Sequence, residues 1–386
     1  MRLETPKPGD SLGVVLKLPG ETCNINCHYC YEKRKPYPGS SSLDPDTLHR
    51  FLELLGDRPL SVMLHGGEPL LVGRERIRSL LYVLRERSAP TSLSIQTNGT
   101  LLSDRWIDFF EENCPSIELG LSLDGDVEGN AHRVDYRGKP TFDQVVQSLK
   151  LLERRGWTCG VIVVVTRKLL GRHEQVIEEL MKHPAIKNVK LSPCLDFNVT
   201  SKNHRGITGQ QIKLLNSGQD LPGWATTPGE YAEFLRGSFR SWRAARGFDR
   251  FLLEPFVSIA RAARGKVTNF THFDYRKDPF IVTLYPDGRI GSCDELDMPD
   301  GLLGHVDDGI SVDQLLARAD GGELFGRLIS LTQACEGCRV NEICRGGSLP
   351  DRLRYAAGGQ SAEYCQARVD LIDSTIELMS ANGGRQ

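Results

Sequence analysis

Between residue 12 and about residue 195, short apolar runs alternate with stretches of helical apolar spacing. The runs fall at 12–18, 60–65, 93–96, 117–123, 159–166 and 189–195. This alternation constrains the fold more than any other feature, because repeated strand–helix units build a parallel sheet with helices on its face. Asp44-Pro45 opens the first helix as N-cap and first-turn proline, and Leu48, Phe51, Leu52 and Leu55 recur at helical spacing after it. Ile77, Leu80, Leu81 and Leu84 mark the next helix. Ser103 is expected to cap a helix around 106–110 and Thr141 one around 145–152, and a further helix is expected over 173–181. The run 159–166 is strongly β-branched, which suits a buried strand. The expectation is an α/β fold with a barrel-like parallel sheet, in which ligands bind at the carboxyl ends of the strands.

The segment after the first run reads Cys23-Asn-Ile-Asn-Cys27-His-Tyr-Cys30. Three thiolates at this spacing can hold three irons of a cubane 4Fe–4S cluster and leave the fourth iron open to a ligand. A zinc site and three unrelated buried thiols are the alternatives, although zinc prefers four ligands in paired sets. At the end of the second run stands Leu64-His65-Gly66-Gly67-Glu68-Pro69. Its glycines permit close backbone approach and its proline fixes the exit from the turn.

With Tyr29 before the last cysteine, the first segment resembles the signature of radical S-adenosylmethionine enzymes. The resemblance implies a partial (β/α)6 TIM-like barrel whose open iron chelates the amino and carboxylate groups of the methionine moiety. It also implies reductive cleavage to a 5′-deoxyadenosyl radical that takes a hydrogen atom from the substrate. It places Tyr29 at the cofactor and gives Gly66, Gly67, Glu68 and Pro69 the holding of the cofactor's amino group. Two further strand ends, Gln96-Thr97-Asn98-Gly99 and Ser122-Leu123-Asp124-Gly125, resemble segments that line the cofactor pocket. Ser122 is a candidate for the ribose or carboxylate, and Arg133 for the carboxylate. Plain turns are the alternative for Asn98-Gly99 and Asp124-Gly125.

A second cysteine group, Cys335, Cys338 and Cys344 with Cys365 beyond, has a C-x2-C-x5-C core. Four thiolates can close one 4Fe–4S cluster, with zinc the chemical alternative. The region resembles the SPASM domain of radical enzymes that modify peptides and proteins, a cysteine-rich iron–sulfur domain that binds two auxiliary clusters. Gly288-Arg-Ile-Gly-Ser-Cys293 matches its G-x4-C piece, and Tyr285-Pro286-Asp287-Gly288 reads as the turn of the preceding hairpin. Two expected cysteines are missing: residues 270–284 contain none, and Ser348 stands where one should follow Cys344. One auxiliary cluster is therefore expected, on Cys335, Cys338, Cys344 and Cys365, with Cys293 a buried free thiol or a lone ligand. Asp294 directly follows Cys293. In sulfatase-maturing relatives an Asp in that place acts as a base over the substrate; the bland alternative is a surface Asp beside Glu295 and Asp297. Cys114, Cys159 and Cys194 read as structural.

Three regions are expected: 11–200 as core barrel, 201–275 as linker and bridging helices, and 276–386 as SPASM-like domain. The polar stretch 196–230 reads as linker, followed by a helix over 230–245. Arg236, Arg240, Arg243, Arg246 and Arg250 along it read as a solvated face, with docking of an acidic peptide the sharper alternative. Net charge is −2, which argues against nucleic acid, and no run of 18 apolar residues argues for a membrane span. Eleven cysteines without an apolar export signal point to a reducing cytoplasm. The segments before the first strand and after Cys365 are short, so leader recognition is expected from the body of the protein or from a separate leader-binding protein.

The resemblance implies a maturase that crosslinks a ribosomal precursor peptide through a C–C (cyclophane-like) or thioether bond. The alternatives are formylglycine formation in a sulfatase, peptide epimerisation with Cys293 as hydrogen donor, and, from another class, a non-catalytic iron–sulfur protein. A reductant such as flavodoxin or ferredoxin is implied as partner. Cys27→Ala is expected to abolish S-adenosylmethionine cleavage, read as 5′-deoxyadenosine by chromatography; undiminished cleavage would remove Cys27 from the ligand set.

Overall fold

The computed structural model describes residues 6–7, 9–32, 41–194, 223–266, 274–275, 277–296, 301–320 and 323–380. Its strands are β1 (Leu12–Lys17), β2 (Leu60–His65), β3 (Thr91–Thr97), β4 (Glu118–Ser122), β5 (Cys159–Val165), β6 (Ile186–Pro193), β7 (Leu252–Glu254), β8 (Ile281–Leu284), β9 (Arg289–Gly291) and β10 (Leu302–His305). They form one sheet in the order β10-β9-β8-β1-β2-β3-β4-β5-β6-β7. Pairing is parallel from β1 through β7, and β8 is parallel to β1 on its other side. The pairs β8–β9 and β9–β10 are antiparallel. The six expected strands are all present, in an open, barrel-like α/β sheet.

Two edges of the sheet were not foreseen. β7 arises within the stretch read as linker and bridging helices; its three residues, Leu252-Leu253-Glu254, are too few to show a period. β8 joins the first strand of the barrel to the hairpin of the cysteine-rich region, so the sheet runs across both expected boundaries. The turn of that hairpin is at Tyr285–Gly288 as expected, with Gly288 N–H donating to Tyr285 O at 3.0 Å. Residues 196–222, read as linker, and Asp297 lie outside the described residues.

Helices α1 (Pro45–Leu55), α2 (Gly73–Arg85), α3 (Asp104–Asn113), α4 (Phe142–Arg155) and α5 (His173–Met181) follow the first five strands. Asp44 caps α1 as expected, its Oδ1 accepting from Thr47 N–H at 2.9 Å. Ser103 and Thr141 occupy N-cap positions, but neither side chain bonds its helix. The Thr141 hydroxyl donates instead to the Arg133 carbonyl at 2.9 Å, because that loop folds back over the helix start.

Side-chain alternation explains what the sheet encloses. One set of strand residues, including Leu16, Leu64, Ile95, Leu121 and Val163, is buried in the core with Phe51, Leu80, Phe110, Leu149 and Leu180 of the helices. The opposite set mixes apolar Val15, Met63, Ile162 and Val164 with polar Lys17, His65, Gln96, Ser122, Ser192 and Glu254. The inner face is therefore a lined space. A cavity of about 770 Å³ at its base and a cleft of about 180 Å³ at its mouth both reach Gln96.

The helix Pro228–Ala244 starts with a Thr227/Glu230 capping box and packs against α5 and the C-terminal helix Ser361–Ser380. Its arginines are engaged locally: Arg243 lies over Phe239, Arg250 donates to Met181 O at 2.9 Å, and Arg246 pairs with Asp249. No helix among the described residues is long and apolar enough to cross a membrane.

Phe110 is fully buried and stacks on Trp106 at 5.7 Å. Phe110→Ala is expected to destabilise the barrel by about 3–5 kcal/mol in urea unfolding; a loss below about 1 kcal/mol would mean the site collapses without a cavity.

Candidate active site

The cysteine loop leaves the end of β1 and folds onto the turn that ends β2. Gly67 N–H donates to Gly20 O at 2.8 Å and Glu68 N–H to Thr22 O at 3.0 Å. The two backbones are so close that a Cβ on Gly67 would lie 2.1 Å from Thr22 O. Gly66 has φ +126°, and a Cβ there would meet Pro19 Cδ at 2.6 Å. The glycines are thus required by the contact that sets the cysteine loop in place.

Cys23, Cys27, Cys30 and Tyr29 line the mouth cleft with Gly66, Gly67, Gln96, Asn98, Ser122 and Arg133. Asn98 Nδ2 donates to Cys23 Sγ at 3.6 Å. Ser122 Oγ accepts from Gln96 Nε2 at 3.1 Å. Arg133 donates through Nη1 to the Tyr29 oxygen at 2.9 Å, and the Tyr29 hydroxyl donates to Asp124. Asp124 Oδ1 also accepts from Val164 N–H at 2.9 Å. Arg133 Nε is buried and has no partner. Burial pushes the Cys27 thiol up to about 12, with the Arg133 charge pulling it down. Forming its thiolate therefore depends on a bound metal.

Glu68 and Pro69 are placed differently from the glycines. The Glu68 carboxylate is fully buried and accepts from Leu70 N–H at 3.1 Å, Thr97 Oγ1 at 2.7 Å and Asn98 N–H at 2.8 Å. It ties the end of β2 to the end of β3. Burial raises its proton affinity while these three bonds lower it.

Asp294 sits behind the cleft wall, bonded to Tyr31 of its lining. Its Oδ2 accepts from Lys17 Nζ at 2.8 Å and from the Tyr31 hydroxyl at 2.8 Å. Lys17, 0% exposed, also meets Glu32 at 3.0 Å and His65 Nδ1 at 3.1 Å. Tyr31, Glu32, His65 and Glu295 line the cleft. The alternative of a loose surface Asp is excluded by these contacts.

Cys293 is buried and donates to Asp278 Oδ1 at 3.0 Å, while Asp278 Oδ2 accepts from Leu349 N–H at 2.9 Å. Ser348, at the position of the missing cysteine, donates to Asp351 at 3.0 Å. Burial raises Asp278 to about 6. Cys293 and Ser348 are thus each engaged by a buried carboxylate.

Cys335, Cys338, Cys344 and Cys365 form a second thiol group, and the Cys335 thiol is raised by burial, lowered by Arg352 and raised by each of the other three thiols. Arg352 Nη2 donates to Cys335 Sγ at 3.2 Å and Arg368 Nε to Cys344 Sγ at 3.1 Å. Among the described residues, no three Cys, His, Asp or Glu side chains converge closely enough to hold one metal ion. Four thiols can close one 4Fe–4S cluster, with zinc the chemical alternative.

Residues 18–181 match the Radical SAM superfamily. A serine-type anaerobic sulfatase-maturating enzyme of Klebsiella aerogenes is 26% identical over 363 residues, covering 90% of this chain and 82% of that protein. A cysteine-type anaerobic sulfatase-maturating enzyme of Clostridium perfringens is 26% identical, covering 94% and 95%. The solved structure of native anSMEcpe with bound AdoMet superposes with a TM-score of 0.75 at 20% identity, over 97% of this chain and 100% of that one.

Residues 18–181 form a radical SAM domain.

The cleft fits what a radical SAM enzyme must hold. Three thiols from one loop face it, glycine backbone forms one wall, and the orphaned Arg133 Nε supplies a donor for a carboxylate. S-adenosylmethionine and 4Fe–4S clusters are its cofactors. Lys17, Tyr31, Glu32, His65 and Glu295 escaped sequence reasoning. Lys17 had a signal: a lone charge closing an otherwise apolar strand run, Leu12-Gly-Val-Val-Leu-Lys17.

Gly67→Ala is expected to cut 5′-deoxyadenosine formation by about 10²-fold, since the loop must shift to admit the methyl. Gly326→Ala, where a Cβ meets nothing within 4 Å, is the control and is expected to leave it unchanged. Equal rates for both would show that the glycine contact does not position the cysteines.

Proposed function

We propose that this radical SAM enzyme oxidises a seryl or cysteinyl side chain of a peptide or protein, in the manner named for its sulfatase-maturating relatives. Those relatives favour this oxidation over crosslinking of a ribosomal precursor peptide. The observation that carries it is Asp294, a carboxylate held by Lys17 and Tyr31 against the cleft that the cysteine loop lines.

Cys23, Cys27 and Cys30 hold the cluster, and Tyr29, Gly66, Gly67, Ser122 and Arg133 hold S-adenosylmethionine, with Glu68 and Pro69 shaping the turn behind them. Bound together, the two cofactors supply abstraction of one hydrogen atom. Asp294 then takes the proton from the substrate hydroxyl or thiol as the Cβ centre gives up one electron. For serine the balance is one hydrogen atom, one proton and one electron, leaving an aldehyde. The four thiols Cys335, Cys338, Cys344 and Cys365 would hold an auxiliary cluster, which would supply a one-electron acceptor. Residues 11–200 act as core barrel and 276–386 as auxiliary region, joined through β8. A reduced flavodoxin or ferredoxin feeds the first cluster. Epimerisation gains no support from Cys293, whose thiol is buried and bonded to Asp278.

Anaerobic incubation with S-adenosylmethionine, reductant and a sulfatase peptide carrying the target serine tests this by mass. Loss of two hydrogens is expected. Asp294→Asn is expected to lower that product about 10²–10⁴-fold while 5′-deoxyadenosine still forms. Unchanged serine and cysteine peptides, beside a precursor peptide that loses hydrogens, would restore the crosslinking function.

A further inference from the structure

We infer that Arg352 and Arg368 form a cationic clamp on the auxiliary cluster that raises its reduction potential and makes it the acceptor of the substrate's surplus electron. This rests on the assignment of Cys335, Cys338, Cys344 and Cys365 as ligands. The potential of such a cluster is set by hydrogen bonds to its sulfurs, by local charge and by exposure. The donors to sulfur and the two positive charges both favour the reduced state here, and they act against the cost of burial.

The two guanidinium groups reach different cysteines. Arg352 donates to Cys335 Sγ at 3.2 Å and Arg368 to Cys344 Sγ at 3.1 Å. Both are buried, with 5% and 8% exposure. Each is also anchored on backbone: Arg352 donates to Leu331 O at 2.8 Å and to Gly346 O, and Arg368 to Cys344 O at 3.2 Å. These bonds fix the forks independently of the sulfurs. The Tyr364 ring packs against both, at 5.5 Å and 5.2 Å from the guanidinium carbons. Gly347, at φ +76°, lets the chain pass beneath them; a Cβ there would lie 2.3 Å from the Tyr364 oxygen and 3.1 Å from Arg368 Cζ.

One electron added to a cluster adds one negative charge beside two fixed positive ones. The reduced state gains most, because water does not screen a buried pair as it does a surface pair. Arg352 and Arg368 are positioning residues: they touch ligand sulfurs, not substrate.

The test is an EPR-monitored redox titration of the reconstituted holoenzyme. Arg352→Gln and Arg368→Gln are each expected to lower the reduced-to-oxidised ratio of the auxiliary cluster about tenfold at fixed poise, a downward shift of about 59 mV for one electron. The cluster on Cys23, Cys27 and Cys30 is expected to keep its potential. An unshifted auxiliary potential in both variants, with iron content intact, overturns the clamp. Where a variant loses iron, Cys27→Ala protein labelled with 15N-arginine isolates the auxiliary signal. Pulsed EPR is then expected to show 15N coupling to the reduced cluster, and its absence overturns the clamp. Cys27→Ala protein with no iron at all overturns the ligand assignment instead, and leaves the oxidation chemistry to be judged by the peptide mass.

Discussion

The arrangement depends on one backbone contact, the approach of Gly67 to the segment Gly20–Thr22. Two hydrogen bonds hold it, and no side chain larger than hydrogen fits between the chains. The contact joins the ends of β1 and β2, so the three thiols and the glycine turn face the same cleft. Glu68 extends the tie to β3 through Thr97 and Asn98, and Asn98 returns to Cys23. A chain of short polar contacts thus passes from the cysteine loop across three strand ends. Parallel strands make this possible, because every one of them ends on the same side.

Polarity inside the sheet follows from the same geometry. Core packing uses one parity of each strand and leaves the other free for chemistry. Lys17 shows what that allows. It sits in an apolar strand yet is fully buried, which requires partners, and Asp294, Glu32 and His65 are there. The first strand of the barrel therefore grips a carboxylate from the cysteine-rich region, and β8 bonds to that same strand. The region beyond residue 276 is held to the barrel at the place where the cleft opens.

Much of this was legible in the sequence, for physical reasons. Long β-branched and apolar runs such as 159–166 announce themselves, and so does the cap at Asp44-Pro45. The cysteine spacing and Gly66-Gly67 carry local chemistry that needs no tertiary context to suspect. What was hidden is tertiary. β7 is too short to show a pattern. Thr141 looks like a cap until Arg133 O takes its hydroxyl. The Glu68 carboxylate braces β2 to β3 through three protein partners, which its place in the motif alone did not show. The bonds of Cys293 and Leu349 to Asp278, and of Ser348 to Asp351, had no signal in the sequence because their partners come from distant or unpatterned positions.

Two sites of opposite character result. At the mouth, burial pushes the Cys27 thiol up, and Asp294 stands behind the cleft wall bonded to Tyr31. In the C-terminal region, arginines already face the thiols. The measurement that tests the account most directly is isotope transfer. A sulfatase-type peptide with deuterium at the Cβ of its target serine would be incubated with enzyme, reductant and S-adenosylmethionine, and the 5′-deoxyadenosine weighed. Deuterium in the 5′-deoxyadenosine is the predicted result, because the hydrogen atom comes from the carbon that becomes the aldehyde. Abundant 5′-deoxyadenosine without deuterium would contradict oxidation at that carbon.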